Sequence, residues 1–538
     1  MDRITLDVIG AALLSIAEEM GEALIKSSYS TNIKERQDCS TALFNVRGEV
    51  VAQAEHIPMH LGSLIMIVHE ILKRYPVERL HEGDVFVGND PYTGGSTHLP
   101  DITVASPVFA DGVPVGFVAN IAHHADGSGR QTHSIWDEGL RIPPIRIVEG
   151  GRLREDVMEL VLLNFRLPRE RRADFRAQFA ANRLGAARLQ ELVQRYGRDT
   201  CVAAMDASLA YGERRIRAAV RSIPDGAYGF EDWMDDDGVG GPPVPLRVRI
   251  TVSGDRIALD FTGTGAQVPG DINVVYLALV ATVYYVLKAV LDPEVPANGG
   301  FYRAIDVTAP AGSLVNAQPP APVAWRTQTC QRVADLILGA LAPALPARVT
   351  AATNGANSAW VFSGTNPATG EYYVYLETIG GGSGARATKD GLDAVQVHVT
   401  NTSNLPVECL EMEYPLVVEE YALVPDSGGA GRFRGGLGIR RTVRVLGHDT
   451  TFLGTLERQR VAPWGLRGGG EGGRGALLLL SPGMATPREL GSKVAGVRLE
   501  AGDVVTIVTP GAGGYGPPAE RAPALRARDA RDGKVSSA

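Results

Sequence analysis

The 538-residue sequence has little cysteine, no block of like charge and no long apolar run. Its four cysteines lie far apart and form no CxxC pair, which argues against a zinc ribbon or a dense disulfide framework and fits a reducing compartment. The formal charge of −8 at pH 7 argues against a nucleic-acid scaffold. The longest apolar run, at 277–287, is too short to cross a bilayer. We therefore expect a cytoplasmic protein that binds neither nucleic acid nor membrane.

Phosphate-binding loops are also missing. The sequence contains no GxxxxGK[ST] string, and no GxGxxG string follows a strand and opens a helix. The glycine run at 380–384 could form a backbone nest for an anion, but an ordinary turn is the favoured interpretation. If the reaction uses ATP, we expect another chain to bind it.

Glycine is abundant, with 63 residues, and alternating apolar patterns recur along the chain. These patterns predict an α+β fold, built in several layers, with mostly antiparallel sheets and a segregated helical segment over 153–221. We predict four parts along the chain: an N-terminal α+β domain over 1–223, a strand-rich middle region with two helices over 224–345, a glycine-rich β-dominated region over 346–518, and a flexible tail over 519–538.

Histidine is unevenly distributed. Eight of the ten histidines lie between His56 and His133, and several aspartates accompany them. Imidazole and carboxylate are the ligands that zinc, manganese and iron(II) share. A single buried histidine more often satisfies an ordinary hydrogen bond. The cluster as a whole, however, predicts a site for one divalent metal ion.

Two strings in this segment carry the most specific spacing. His98 and Asp101 are separated by two residues, one of them proline, after a glycine loop. This spacing suits a tight turn that lets both side chains converge on one point. His123 and His124 end an apolar strand, so strand alternation directs them to opposite faces and only one can point into a given site.

His56 and His60 are four residues apart, just before a predicted helix. They are candidates for hydrogen-bond partners of metal ligands or for proton-transfer groups. A loop histidine and a helix-start histidine without a catalytic role are an equally good interpretation.

Several long strings, spread over essentially the whole chain, resemble the hydantoinase B/oxoprolinase family. Members of that family include the B subunit of ATP-dependent N-methylhydantoinase, the matching half of 5-oxoprolinase, a caprolactamase subunit and the alpha subunit of acetone carboxylase. The strings that carry the resemblance are ERQDCSTALFN, HIPMHLGSL, GDVFVGNDPYTGGSTHLPDITV, HHADGSG, WRTQTCQRVADLILGALA, GGGSGARATKDGLDAVQVHVTNTSNLPVE and GDVVTIVTPGAGGYGPP.

The resemblance implies a metal-bearing subunit whose partner, a hydantoinase A-type subunit, activates the substrate with ATP. The ligands it implies for one divalent metal (Zn, Mn or Fe) are Asp38, His98, Asp101 and His123. The residues expected to move protons are His124, His60 and His56. One departure from the family pattern follows Asp126, where this sequence has Gly127-Ser128-Gly129. This departure does not change the implied ligands, but it alters the expected rim of the pocket.

The function expected from this resemblance is hydrolysis of a lactam or hydantoin ring after ATP-dependent activation by the A-type partner, in a hetero-oligomer. One alternative is the alpha subunit of an acetone-carboxylase-like enzyme, which would join an activated enol to carbon dioxide. Another alternative is a catalytically silent scaffold for an ATPase partner. Metal content separates the scaffold from both enzymes.

Overall fold

The structure is a computed structural model that describes residues 3–54, 56–124 and 132–536. Asp126 and the Gly127–Gly129 departure lie outside the described residues. Among the described helices, none combines the length and the apolar character needed to cross a membrane.

The first sheet has seven antiparallel strands in the order β2-β1-β5-β4-β3-β6-β7. A two-residue turn at Asp111-Gly112 joins β4 to β5, and both residues have the positive φ that a type I′ hairpin turn requires. The strands are β1 Cys39–Phe44, β2 Val50–Gln53, β3 Val85–Gly88, β4 Asp101–Ala110, β5 Val113–His123, β6 Ile145–Glu149 and β7 Arg152–Leu153.

Six helices surround this sheet: α1 Arg3–Ser27, α2 Thr31–Lys34, α3 His60–Arg74, α4 Glu155–Leu162, α5 Pro168–Tyr196 and α6 Arg198–Val220. Helices α1 and α5 pack on one face, and α3 packs on the other against Phe44, Phe117 and Ile121. The helical segment predicted over 153–221 is divided into three helices. Pro168 begins the second, and Gly197, with φ 82°, separates the second from the third.

The second sheet has the order β11-β10-β9-β8 and contains one parallel pair, β10 with β11. Helix α9 packs against it and against α7, and every residue of α9 is buried. The elements of this region are β8 Gly226–Met234, β9 Val244–Ser253, β10 Arg256–Asp260, α7 Tyr276–Leu291, α8 Gly299–Tyr302, β11 Ile305–Thr308 and α9 Arg326–Leu341.

Two further antiparallel sheets follow, in the orders β13-β12-β16-β19 and β14-β15-β20-β17-β18. Aromatic and aliphatic side chains of both sheets form one core, which includes Trp360, Phe452 and Ile507. The elements are β12 Ser358–Thr365, β13 Tyr372–Ile379, α10 Val407–Glu413, β14 Leu416–Leu423, β15 Ile439–Val445, β16 Thr450–Thr455, β17 Ala476–Leu480, β18 Arg488–Leu490, β19 Lys493–Leu499 and β20 Val504–Val508.

The predicted fold class, α+β with mostly antiparallel sheets, is confirmed. The prediction of a flexible tail over 519–538 is wrong for residues 519–536. Helix α11, Pro523–Arg531, packs against the body, and the buried Arg521 guanidinium binds Asp390 and Asp529. Lys534 donates to Asp393 at 2.7 Å. These long-range ion pairs hold a segment whose charged composition suggested disorder; the other domain boundaries stay a prediction.

Candidate metal centre

The site is built at one end of the first sheet, where three adjacent strands begin or end. Asp38 immediately precedes β1, Asp101 is the first residue of β4, and His123 is the last residue of β5. Asp101 and His123 are direct cross-strand partners, and the His123 amide donates to the Asp38 carbonyl at 3.0 Å. The antiparallel register therefore places three residues that are far apart in sequence at one sheet edge.

His98 joins them from the turn that precedes β4. Its Nε2 lies 3.0 Å from Asp101 Oδ2, and His123 Nδ1 lies 2.9 Å from Asp101 Oδ1. One ligand atom from each of these three residues lies within 4.8 Å of the others. The predicted His-x-x-Asp convergence is thus present in the structure.

Both histidines keep a nitrogen available for a further partner. His98 donates from Nδ1 to the carbonyl of Ala324 at 3.0 Å, which directs Nε2 into the site. Nε2 of His123 is buried and makes no hydrogen bond among the described residues, and the buried Nε2 of His98 has only the contact with Asp101 Oδ2 at 3.0 Å, without hydrogen-bond geometry. Buried polar atoms are normally satisfied, and two imidazole nitrogens beside a carboxylate suit a divalent transition metal. The three residues therefore fit a metal ion.

The electrostatics of the site match the forms that bind metal. Burial, reinforced by the nearby Arg326 guanidinium, lowers the pKa of His98 to about 4. Burial acts to raise the pKa of Asp101, but His98, His60 and Arg326 outweigh it and hold that pKa well below its ordinary value. At neutral pH the His98 imidazole is neutral and the Asp101 carboxyl is ionised, as a metal site requires.

Asp38 and His60 lie in the same cavity beside the three residues. His60 Nε2 is 3.5 Å from Asp38 Oδ1 and 3.7 Å from Asp101 Oδ1. The Ser40 hydroxyl donates to the Cys39 carbonyl, so His60 Nδ1 donates to Ser40 Oγ at 3.0 Å. This arrangement directs His60 Nε2 towards the two carboxylates.

His124 and His56 do not line this cavity. The His124 ring packs against Phe175, and its Nε2 lies 3.2 Å from Gln178 Oε1 on α5. Burial lowers the pKa of His124 to about 3, so it is neutral at physiological pH. His56 lies beneath α1 and lines a separate groove. The structure therefore does not bring these two predicted proton-transfer residues to the three-residue cluster: strand alternation turns His124 towards α5, and His56 lines the separate groove. Their role in proton transfer stays a prediction.

Arg326, the first residue of α9, is a site residue that motif spacing did not reveal. Its Nη2 donates to Asp101 Oδ2 at 2.7 Å, and its Nε donates to Thr97 Oγ1 at 2.7 Å. The guanidinium is buried, so it fixes the orientation of the Asp101 carboxylate. The string WRTQTCQRVADLILGALA carries this residue, but nothing in that string indicates that it reaches Asp101.

Glu138 is a second site residue that the sequence did not reveal. It ends a short 3₁₀ helix, Ile135–Glu138, and its Oε1 accepts hydrogen bonds from the amides of Val323 and Ala324. Its Oε2 has no partner among the described residues. Burial raises the pKa of Glu138 to about 8.

The cavity that contains these groups has a volume of about 780 Å³, counting the space at its mouth. The first sheet and α3 form its floor, the 324–327 segment forms one side, and polar side chains from the C-terminal sheets and their loops form another. Its lining residues are Asp38, Ile57, Met59, His60, His98, Pro100, Asp101, His123, Thr132, Glu138, Ala324, Trp325, Arg326, Thr327, Asn357, Leu376, Thr378, Thr400 and Thr402.

Comparison with known proteins places this geometry in context. The family model described as hydantoinase B/oxoprolinase matches residues 2–518. The putative B subunit of a D-/L-hydantoinase from a Pseudomonas species (strain NS671) is 34% identical, over 100% of this chain and 93% of its own length. The 5-oxoprolinase 1 of Arabidopsis thaliana is 35% identical over 96% of this chain, which spans only 42% of that protein.

Solved structures share the fold. The crystal structure of the ATP-dependent caprolactamase from Pseudomonas jessenii matches with a TM-score of 0.93 and 31% identity, covering 100% of this chain and 95% of that chain. Nucleotide-free acetone carboxylase matches with a TM-score of 0.90 and 18% identity, covering 100% of this chain and 78% of that chain. The second likeness concerns the fold alone.

Proposed function

The chain belongs to the hydantoinase B/oxoprolinase family, and from that premise we propose that it is the metal-binding subunit of an ATP-dependent cyclic amidase. Its partner, an A-type subunit, binds ATP and activates the amide oxygen of a lactam or hydantoin. The present chain then completes hydrolysis of the ring. The proposal rests on the family and on the metal centre described above.

The observation that carries the proposal is the convergence of two buried imidazole nitrogens, neither with a well-formed hydrogen bond, beside the Asp101 carboxylate at the base of a polar cavity. His98, Asp101 and His123 would hold the metal, with Asp38 as a further ligand from the neighbouring strand. When bound, a divalent ion polarises an oxygen of the substrate and lowers the pKa of water to about 7.

The chain's own residues supply the remaining functions. Arg326 holds Asp101 in one orientation through its 2.7 Å contact, so the carboxylate does not rotate away from the imidazoles. His60, fixed by Ser40, presents Nε2 beside Asp38 and Asp101 and would exchange a proton with water near these carboxylates. Trp325 lies on one wall of the cavity, and Thr378, Thr400 and Thr402 lie on the opposite wall. Together they would enclose the substrate and limit the access of bulk water.

The division of labour with a partner has independent support. This chain spans 42% of the plant 5-oxoprolinase and 93% of the Pseudomonas hydantoinase relative. The larger relative therefore contains, in one polypeptide, a long segment that has no counterpart here. We assign ATP binding to a separate A-type subunit that corresponds to that segment, which agrees with the lack of a phosphate-binding loop in this sequence.

The acetone-carboxylase alternative predicts a different product from the same cavity. It would require carbon dioxide or bicarbonate, a ketone and a small third subunit, and the likeness that suggests it extends to the fold only. A scaffold without chemistry offers no reason for the buried His123 Nε2 to lack a hydrogen-bond partner among the described residues beside His98 and Asp101. The cyclic amidase is therefore the function we favour.

The proposal is tested with the purified complex of this chain and its genomic neighbour of the A type. We would assay a panel of hydantoins, 5-oxoproline and simple lactams for ring-opened product and for phosphate released from ATP. A parallel assay with acetone and bicarbonate tests the carboxylase alternative. We expect ATP-dependent ring opening of at least one cyclic amide and no carboxylation.

His98→Ala and Asp38→Ala should abolish ring opening while the complex still assembles, because a partner-facing surface is much larger than this one site. His60→Ala should be the milder lesion, at about 10–100-fold, if it acts beside the ligands. His81→Ala is the matched control, since His81 is an exposed histidine that does not line the cavity. Ring opening that persists in metal-free His98→Ala would contradict the proposal.

A further inference from the structure

Glu138 is the acidic side chain of the cavity that has no place in the metal centre. It is 5% exposed and lines the same cavity as His98 and Asp101. One carboxyl oxygen is held and the other is free: Oε1 accepts from two backbone amides, whereas Oε2 is buried without a hydrogen-bond partner among the described residues. A buried carboxyl oxygen left open inside a reaction cavity calls for an explanation.

Its position is rigidly defined. The 3₁₀ helix that Glu138 ends is tied to the 320–324 loop at both ends, because the Ile135 amide donates to the Pro320 carbonyl at 2.9 Å and Glu138 accepts from Val323 and Ala324. The Ala324 carbonyl in turn accepts from His98 Nδ1. Glu138 and the metal centre are therefore held by the same short loop without touching each other.

The surroundings favour the neutral carboxyl. Three groups face it from three elements: Asp271 from the loop before α7, Arg326 from the start of α9, and Tyr92 from the loop after β3. Burial raises the pKa of Glu138 to about 8, the Asp271 charge acts in the same direction, and the two backbone amides and Arg326 oppose the shift. Near pH 7 the Glu138 carboxyl is therefore protonated. Oε2, which has no hydrogen-bond partner among the described residues, is the oxygen that presents this proton to the cavity.

We propose that Glu138 is the catalytic acid that protonates the ring nitrogen when the activated amide is opened. This inference rests on the cyclic amidase function proposed above and adds a residue to it. It assigns the open Oε2 to the substrate and Oε1 to the loop. The metal-binding residues would act at the oxygen bonded to the amide carbon, and Glu138 acts at the ring nitrogen.

The proton balance closes within the cavity. Addition of water across the C=N bond of the activated amide places a hydroxyl on the carbon and a proton on the ring nitrogen. The resulting tetrahedral carbon bears the hydroxyl, the phosphorylated oxygen and the ring N–H. As the C–N bond breaks, its electron pair goes to nitrogen, and nitrogen takes the Glu138 proton. The carboxylate then takes the proton of the hydroxyl, which becomes the carbonyl oxygen of an acyl phosphate, and Glu138 is neutral again. A second water then hydrolyses the acyl phosphate to the carboxylate and phosphate, and no oxidant or reductant is required.

The test compares Glu138→Gln with wild type in the complex with the A-type subunit. Glutamine keeps the shape and the oxygen that accepts from Val323 and Ala324, but it cannot give up a proton. We expect ring opening to fall by about 10²–10⁴-fold, with metal content unchanged and a melting temperature at pH 7 at least as high as that of wild type. The loss should be smaller for hydantoins, whose leaving nitrogen is already stabilised by a second carbonyl, than for simple lactams. A purely structural role would affect both substrates equally.

A second measurement reads the carboxyl directly. Infrared difference spectra of wild type against Glu138→Gln should show the carbonyl stretch of a neutral carboxyl at pH 7, which disappears as the pH is raised towards 9. Asp271→Asn should move this titration, and the alkaline limb of the rate profile, to lower pH, because it removes a neighbouring negative charge.

The outcomes are distinguishable. Failure of the wild-type complex to open any cyclic amide would overturn the proposed function and the role of Glu138 together. An active wild type with a Glu138→Gln variant that retains its rate, or with no neutral-carboxyl band at pH 7, would overturn the role of Glu138 alone.

Discussion

Gly62, the third residue of α3, lies where that helix contacts α7, and Gly62→Ala tests how tightly the site is fixed. A Cβ atom at this position would lie 2.4 Å from the Leu277 carbonyl oxygen and 3.2 Å from the Ala281 Cβ. Real Cβ atoms essentially never approach another heavy atom within 3.0 Å. Because the obstructing atom belongs to helix backbone, α3 would have to move by more than half an ångström.

The magnitude follows from packing and helix propensity. Overpacking of a well-packed contact costs about 1–3 kcal/mol, while replacement of glycine by alanine in a helix gains about 1 kcal/mol. Gly10→Ala on α1 is the matched control, because its Cβ would meet nothing within 4 Å. Both variants share the propensity gain, so the difference between them isolates the clash, at about 1–3 kcal/mol.

His60 begins α3, so a shift of this helix also displaces the imidazole relative to Asp38 and Asp101. A displacement of about 1 Å in a catalytic group can cost on the order of 100-fold in rate. We expect urea unfolding to show Gly62→Ala less stable than Gly10→Ala, and ring opening by its complex to fall by about 10–100-fold. Equal stability and equal rates for the two variants would refute the reasoning.

Three further predictions concern other parts of the molecule. His124→Phe should reduce ring opening by less than the ~10-fold that loss of a ligand's hydrogen-bond partner costs, because its ring faces α5; activity and metal content check this. Arg521→Ala should release the C-terminal helix, since it removes the contacts with Asp390 and Asp529, and limited trypsin digestion should cleave the tail faster. Glu138 has a pKa of about 8 in the folded chain against a reference of 4.5. Its contribution to stability is therefore full below about pH 4.5 and is lost as the pH rises to about 8, by up to about 5 kcal/mol; Glu138→Gln should remove this dependence in unfolding measured across that range.

The parts of the site that sequence reasoning could predict are those that local spacing determines. His98 and Asp101 share one turn, and the adjacent His123 and His124 can only face opposite sides of a strand. The antiparallel register then places Asp101 opposite His123, which spacing alone could not show.

The rest depends on contacts between segments that are remote in sequence. Arg326 reaches Asp101 across 225 residues, and Glu138 reaches the Val323 amide across 185. Neither residue belongs to a motif, and a glutamate in a polar loop is ordinarily exposed. The tail was mispredicted for the same reason, since Arg521 is held by Asp390, 131 residues away. Hydrophobic patterning indicates strands and helices because it is a local property of the sequence, whereas ion pairs between distant loops leave no periodic signal.

The most direct test of the metal centre is the metal content of the purified wild-type chain beside that of His98→Ala and His81→Ala, prepared without chelators and measured by inductively coupled plasma mass spectrometry. The account predicts close to one divalent transition-metal ion per chain in wild type and in His81→Ala, and strong loss in His98→Ala. Metal that is substoichiometric in wild type, or equally abundant in all three proteins, would contradict it.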